Sequence, residues 1–203
     1  MRKLTWFPLF LSIAWQAQAT QSHTIKEQFS VTSHQSLEIA FPVGKLNIET
    51  YEGDSIQVEI ELRENDNSWF GKTAISSIQL EKKQHNDEIY LTIDEEDVEQ
   101  IWHVKLPASL SLEAELGVGN VHIETLRNDA EIEVGVGNVK VHSALSDYQV
   151  IDLESGVGKT KLKNFTGNAT YEQSMVGSKT KYQGQGRYEL EVDVGVGNIK
   201  ITH

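Results

Sequence analysis

One four-residue pattern recurs along the second half of the chain and leaves few folds open to it. Gly117-Val118-Gly119-Asn120 returns as Gly135-Val136-Gly137-Asn138, Gly156-Val157-Gly158-Lys159, Met175-Val176-Gly177-Ser178 and Gly195-Val196-Gly197-Asn198. Counted at the last glycine of each copy, the spacings are 18, 21, 19 and 20 residues. A period near 20 is the mark of a solenoid coil or another stacked-strand repeat. On both sides of each glycine pair the residues alternate. Ile132, Val134, Val139 and Val141 share one parity and face inward; Glu131, Glu133, Lys140 and His142 face outward, as in half-buried strands.

Turn-forming residues separate the copies: "RND" after Leu126, "SD" after Leu145, "TGN" after Phe165 and "QGQG" after Tyr182. Asn, Asp and Gly supply the left-handed and Asx-type conformations that tight turns need. Each unit therefore reads as strand, glycine corner, strand, turn. The fold class expected is all-β, a repeat-built stacked-strand domain of the β-solenoid (β-helix-like) type with coils of about 20 residues. The fourth copy carries Met175 in place of a glycine and one residue more before its strand, which reads as a bulge.

The first half repeats more weakly. "SLEIAFPVGKLNIET" around Gly44 alternates as the later units do, as do "DSIQVEIEL" and "NDEIYLTID", and "IWHVKLP" leads into the regular array. Residues 64–75 fit no strand and read as a loop or a short helix. The expected organisation is a single domain over residues 20–203, irregular over 20–108 and regular over 109–203.

Ahead of it, Arg2 and Lys3, an apolar run from Leu4 to Trp15 and Ala17-Gln18-Ala19 have the form of a secretory signal peptide spanning residues 1–19. Its apolar run is well short of the ~20 residues of a spanning helix. Cleavage after Ala19 leaves a chain starting at Thr20 with no transmembrane segment, placed in the periplasm or outside the cell. The whole chain carries a net charge of −12, which disfavours general nucleic-acid binding. It has no cysteine, although an exported protein could form disulfides, so an ordinary apolar core must hold it together.

The stretches "FPVGKLNIETYEGDSIQVEIEL" and "VKLPASLSLEAELGVGNVHIETL", with the GVGN repeats, resemble the bacterial putative-adhesin family of envelope proteins, also described as toast-rack or β-solenoid domains. That resemblance covers most of residues 25–203. It implies an extracytoplasmic, non-enzymatic protein and supplies no functional residues. The reading is an exported interaction or scaffold protein of the cell envelope, adhesin-like, engaging an envelope polymer or another envelope protein. The rival readings are a sensor component of an envelope-stress pathway and a β-helix enzyme acting on polysaccharide.

The glycine pairs lack the third glycine of a dinucleotide fingerprint and lie between strands, so no helix N-terminus follows to hold a pyrophosphate. Glycine's access to positive φ, and its missing side chain where coils approach, account for them without a ligand. The residue after Gly-Val-Gly is never Asp, unlike calcium-binding β-helices. The histidines lack zinc-like spacing, and no nucleophile motif is present. No catalytic residue, metal or cofactor is expected.

One arrangement remains. With the corners in register, His122, Lys140, Lys161, Lys181 and Lys200 form a column, the candidate polyanion-binding strip. Glu115, Glu133, Glu154, Gln173 and Asp193 form a second one on the other side of the corner. Stacked strands lie ~4.8 Å apart, so each column is a like-charge ladder unless opposite charges flank it. Either the columns neutralise one another around the corner or merely solvate the surface, or the first is a cationic strip on an acidic protein, suited to anionic envelope polymers. The final unit stops directly after its strand. A free edge invites pairing, so residues 198–202 are expected to pair with an N-terminal strand within residues 25–50 or to form a homo-oligomer through that edge.

Overall fold

At Gly117-Val118-Gly119 and Gly135-Val136-Gly137 one long strand runs through the corner and contributes to two faces of a folded sheet, whereas at the other two Gly-Val-Gly copies the strand is interrupted for two residues. A computed structural model describes residues 22–32, 35–64 and 74–203. The expected signal segment and most of the 64–75 stretch lie outside the described residues; a single 3-10 turn at Ile75–Ser77 follows that stretch.

The strands are β1 (Ser22–Ser30), β2 (Ser36–Tyr51), β3 (Ser55–Glu64), β4 (Glu81–His85), β5 (Glu88–Thr92), β6 (Val98–Pro107) and β7 (Ser111–Leu126). They continue as β8 (Ala130–Ser143), β9 (Val150–Val157), β10 (Thr160–Lys163), β11 (Asn168–Gln173), β12 (Ser178–Gln183), β13 (Glu189–Val196) and β14 (Ile199–Thr202). All belong to one sheet. The chain is an all-β, stacked-strand, solenoid-like protein.

Three strands, β2, β7 and β8, run through the corner unbroken and pair in parallel, Gly44 beside Gly119 beside Gly137. Ahead of the corner, one arm of the sheet runs β4-β5-β2-β7-β8-β13-β9-β12-β11. Beyond it, the second arm runs β1-β3-β6-β2-β7-β8-β14-β10. The weakly repeating first half thus joins the array through β2, and Gly44 is a further corner.

The glycines are architectural, as expected. Gly137 has φ of 156° and Gly197 of 149°, and a Cβ on either would lie 1.5 Å from the carbonyl oxygen of the corner stacked beside it. The valines between the glycines stack into a half-exposed ladder; Val118, Val136, Val196 and Val157 are 50, 47, 46 and 49% exposed. Next to them runs an asparagine ladder. Asn120 Oδ1 accepts from the backbone N–H and the side-chain amide of Asn138, each at 3.1 Å, and Asn138 Oδ1 does the same for Asn198, also at 3.1 Å. Asn198 Oδ1 accepts from the backbone N–H of Lys159 at 3.2 Å. An Asp here could accept but not donate onward, which is a physical reason for Asn after the glycine.

The inward parity is confirmed. Ile132, Val134, Val139 and Val141 are buried in one core cluster between the arms, and Glu131, Glu133, Lys140 and His142 are exposed. Trp102 closes the β6 end of that core, stacked on Phe41 with ring centroids 5.2 Å apart.

Two expectations are corrected. The strand at residues 199–202 is not an edge. It pairs in parallel with β8 on one side and β10 on the other, so neither a strand within residues 25–50 nor a second copy is its partner. The fifth copy of the repeat sits inside the stack, between the second and third, because β13 likewise lies between β8 and β9. The fourth copy is no bulged corner. Residues 174–177 form the turn of an antiparallel hairpin joining β11 and β12. Ser174 closes that turn, its backbone N–H donating to Gly177 O at 2.9 Å and its Oγ accepting from Gly177 N–H at 2.9 Å.

Candidate functional site: two charged faces and a groove

Outward residues make an acidic surface on the first arm and, on the second, a lysine-bearing edge continuous with a region of mixed charge. On the first arm the register aligns Glu38, Glu113, Glu131, Glu191 and Asp152 in one row, and Glu115, Glu133, Asp193 and Glu154 in the next. The expected acidic column is therefore present, but in the order Glu115, Glu133, Asp193, Glu154, and without Gln173, which sits at the hairpin turn opposite Ser178. The rows end on lysines of β12. Lys179 Nζ lies 2.6 Å from Glu154 and 3.6 Å from Asp152, and Lys181 Nζ lies 3.4 Å from Asp152.

At the far end of this face the lysine in register, Lys83 on β4, lies over the Tyr90 ring and pairs with Glu81 at 3.4 Å, with Tyr90 between it and Glu38. Burial, then a hydrogen bond with Glu88 and repulsion from Glu113, Glu88 and Glu115, push the Glu38 carboxyl up to about 7. Burial, followed by the neighbouring carboxylates, also raises Glu113. A carboxyl whose pKa is raised by folding takes up protons in the native state, so its contribution to stability is complete below the unfolded value and is lost as pH rises through the native one. We therefore expect the melting temperature to be higher at pH 5 than at pH 8. Glu38→Gln should flatten the difference, and thermal melts of both proteins across that range check it. An unchanged pH dependence in the variant would remove Glu38 as its source.

On the second arm the cationic column is also present but altered. His122, Lys140, Lys200 and Lys161 occupy adjacent strands β7, β8, β14 and β10 in that spatial order. Lys181 is not among them. Its strand β12 pairs antiparallel with β9 of the other arm, and the side chain is committed to Asp152. His122 differs in kind from the lysines, because its Nε2 lies 2.7 Å from Glu124 Oε1. The column reading missed two further lysines at the same edge, Lys159 immediately before β10 and Lys163 at its end; the latter is in register with Thr202 and His142. Lys140, Lys159, Lys161, Lys163 and Lys200 are all exposed, and among the described residues none has a carboxylate partner.

The same arm curves at its β1 end into an open groove of about 640 Å³, spanning β1, β3, β6, β2 and β7. Two cross-strand rows furnish it. One is Lys26, Glu59, His103, Asn47, His122; the other is Gln28, Gln57, Lys105, Glu49, Glu124. Sequence reasoning singled out His122 but missed the groove, because its other row members, Glu124 apart, come from the half of the chain where repetition is weak. No group of three or more metal-ligating side chains occurs among the described residues. Among them, too, no helix is long and apolar enough to cross a membrane.

Fold and faces together define a stacked-strand β-solenoid module whose charged groups are displayed on broad outer surfaces. The chain belongs to the toast-rack family: the profile described as "N-terminal domain of toast_rack, DUF2154" matches residues 15–163. A solved structure described as a putative cell adhesion protein from Clostridium sporogenes is similar over 89% of this chain and 99% of that one, at 17% identity and a TM-score of 0.51, a likeness of fold. A putative adhesin from Bacteroides fragilis aligns over 88% of this chain and 97% of that one, at 12% identity and a TM-score of 0.26, too low to add to the comparison. No curated relative matches the chain.

Proposed function

We propose that this is an exported, non-enzymatic, adhesin-like binding module of the cell envelope that holds anionic polymer on the lysine edge of its second arm. The observation that carries it is the set Lys140, Lys200 and Lys161, in register on three adjacent strands and, among the described residues, without carboxylate partners, on a chain with a net charge of −12. Like charges ~4.8 Å apart repel, and a polyanion lying across the strands relieves that repulsion. The "cell adhesion" wording attached to the Clostridium structure agrees with a binding role. The carboxylates of the first arm form ladders of neighbours along the stack, whereas glycoside hydrolysis needs a pair facing each other across the bond to be cut.

Reversing Lys140, Lys161 and Lys200 together to Glu is expected to abolish retention on immobilised polyphosphate. Retention of the unaltered protein should itself weaken as salt rises, because exposed charges are screened. Retention that survives the triple reversal would sink the proposal.

Export rests on the signal-like segment at residues 1–19. The intact mass of protein recovered from periplasm or medium should correspond to a chain beginning at Thr20. An uncleaved N-terminus recovered with membranes would contradict it.

A further inference from the structure

We infer that the groove at the β1 end is a sugar subsite, and that the polymer held by the lysine edge is an acidic polysaccharide whose pyranose hydroxyls are read in the groove. The inference rests on the polyanion reading for the charged part of its ligand and goes beyond it in naming the ligand's chemistry.

The groove and the lysines share one face. The row Lys26, Glu59, His103, Asn47, His122 continues in register to Lys140, Lys200 and Lys161. The surface therefore spans eight strands, roughly 34 Å at ~4.8 Å per strand. One extended ligand running along the stack meets mixed polar groups first and lysines afterwards.

Within the groove several groups are already engaged. Lys26 Nζ lies 3.0 Å from Glu59, His122 is held by Glu124, and Gln28 Nε2 donates to Ser55 Oγ at 3.1 Å. Asn47 Nδ2 donates to the Trp102 carbonyl at 3.2 Å, and among the described residues its Oδ1 accepts no hydrogen bond. Among the described residues, the side chains of Gln57, His103, Lys105 and Glu49 have no hydrogen-bond or ion-pair partner. What remains is a mixed set of donors and acceptors with little net charge, next to pairs that already neutralise each other. Such a set matches hydroxyl groups, each of which both donates and accepts. It does not match a run of phosphates. The volume of about 640 Å³ lies within the range of small-ligand sites.

Geometry separates a glycan from a peptide. Over β3, β6, β2 and β7 the groove lies on a sheet face whose backbone groups are spent on neighbouring strands, so a ligand crossing those strands is read by side chains. A ligand crossing the strands meets one member of a row every ~4.8 Å, whereas an extended peptide presents same-face side chains about every 6.8 Å. A pyranose in an extended chain spans close to one strand spacing. The match is to a sugar polymer.

The test compares two polyanions, alginate, which is built of uronate pyranoses, and polyphosphate, which has no sugar. Binding of each is titrated to the protein from residue 20 onward, to Gln57→Ala/His103→Ala and to Lys140→Glu/Lys161→Glu/Lys200→Glu. Thermal melts confirm that all three are folded. The groove variant is expected to bind alginate about tenfold more weakly, the loss of one or two net hydrogen bonds, with polyphosphate affinity unchanged. The lysine variant should lose both. If the groove variant weakens both ligands alike, or neither, or if the unaltered protein does not bind alginate, the sugar subsite is overturned. Polyphosphate binding that is indifferent to the lysine reversal instead overturns the polyanion reading, so the two failures are told apart.

Discussion

A chain ending at Gly186 will show no cooperative unfolding transition, although it lacks only the last copy of a five-fold repeat. In an ordinary solenoid, removing a terminal coil peels off one layer and leaves the rest standing. Here β13 and β14 lie between β8 on one side and β9 or β10 on the other, so their loss parts the sheet in the middle. Leu190, Val192, Val194, Ile199 and Ile201 are buried in the shared core. At ~1.5–3 kcal/mol for each fully buried aliphatic side chain, an upper estimate, their removal costs about as much as the whole ~5–15 kcal/mol stability of a domain. A chain starting at Gln35 is the control. It loses only β1, which pairs with β3 alone, and should melt cooperatively at a modestly lower temperature. Circular dichroism melts of both truncations decide the matter; a cooperative melt of the chain ending at Gly186 would mean that the outer strands of the two arms close on each other without the inserted pair.

The second large effect is expected from Val139→Asp. Val139 is 1% exposed, and its strand neighbours at the same level are Val121 and Ile199, both buried. Among the described residues no Lys, Arg or His is buried in the core, so a carboxylate there is unpaired, and burying it costs several kcal/mol, enough to unfold the domain. Lys140→Asp, one residue along and outward, should change the melting temperature little, since Lys140 is exposed and has no ion-pair partner among the described residues. Equal loss of stability in the two variants would contradict the inward and outward assignment.

Strands, corners and core were legible because each is a local property. Period-two alternation around Ile132 to Val141 specifies which side chains go inward, and the glycine pairs mark where the stacked backbone comes too close for a Cβ. Stack order was not legible for a physical reason. The four Gly-Val-Gly copies offer their neighbours similar apolar inward faces and the same glycine corner, so nothing local says that the Gly197 corner belongs between Gly137 and Gly158 and not after Gly158. The displacement of Lys181 from the lysine column follows from that ambiguity. It pairs with Asp152 because a hairpin, and not a fifth coil, completes the first arm. The groove stayed hidden for a related reason. Gln57, His103 and Asn47 are ordinary outward positions on three strands, and only the pairing register brings them side by side.

Insertion of the latest-made strands into the middle of the stack also bears on how quickly the native state is reached. Val194 is hydrogen-bonded into a ladder beside Val134, and Ile199 beside Val139, partners about sixty positions earlier in the chain. The loop-closure entropy of such pairings must be overcome before they yield any contact energy, and folds dominated by them form in milliseconds to seconds. A chain emerging from its N-terminus cannot zip up coil by coil. Its second and third repeats have no ladder to share until residues 189–202 arrive to separate and join them. Until then β8 and β9 lack the native partners of those edges.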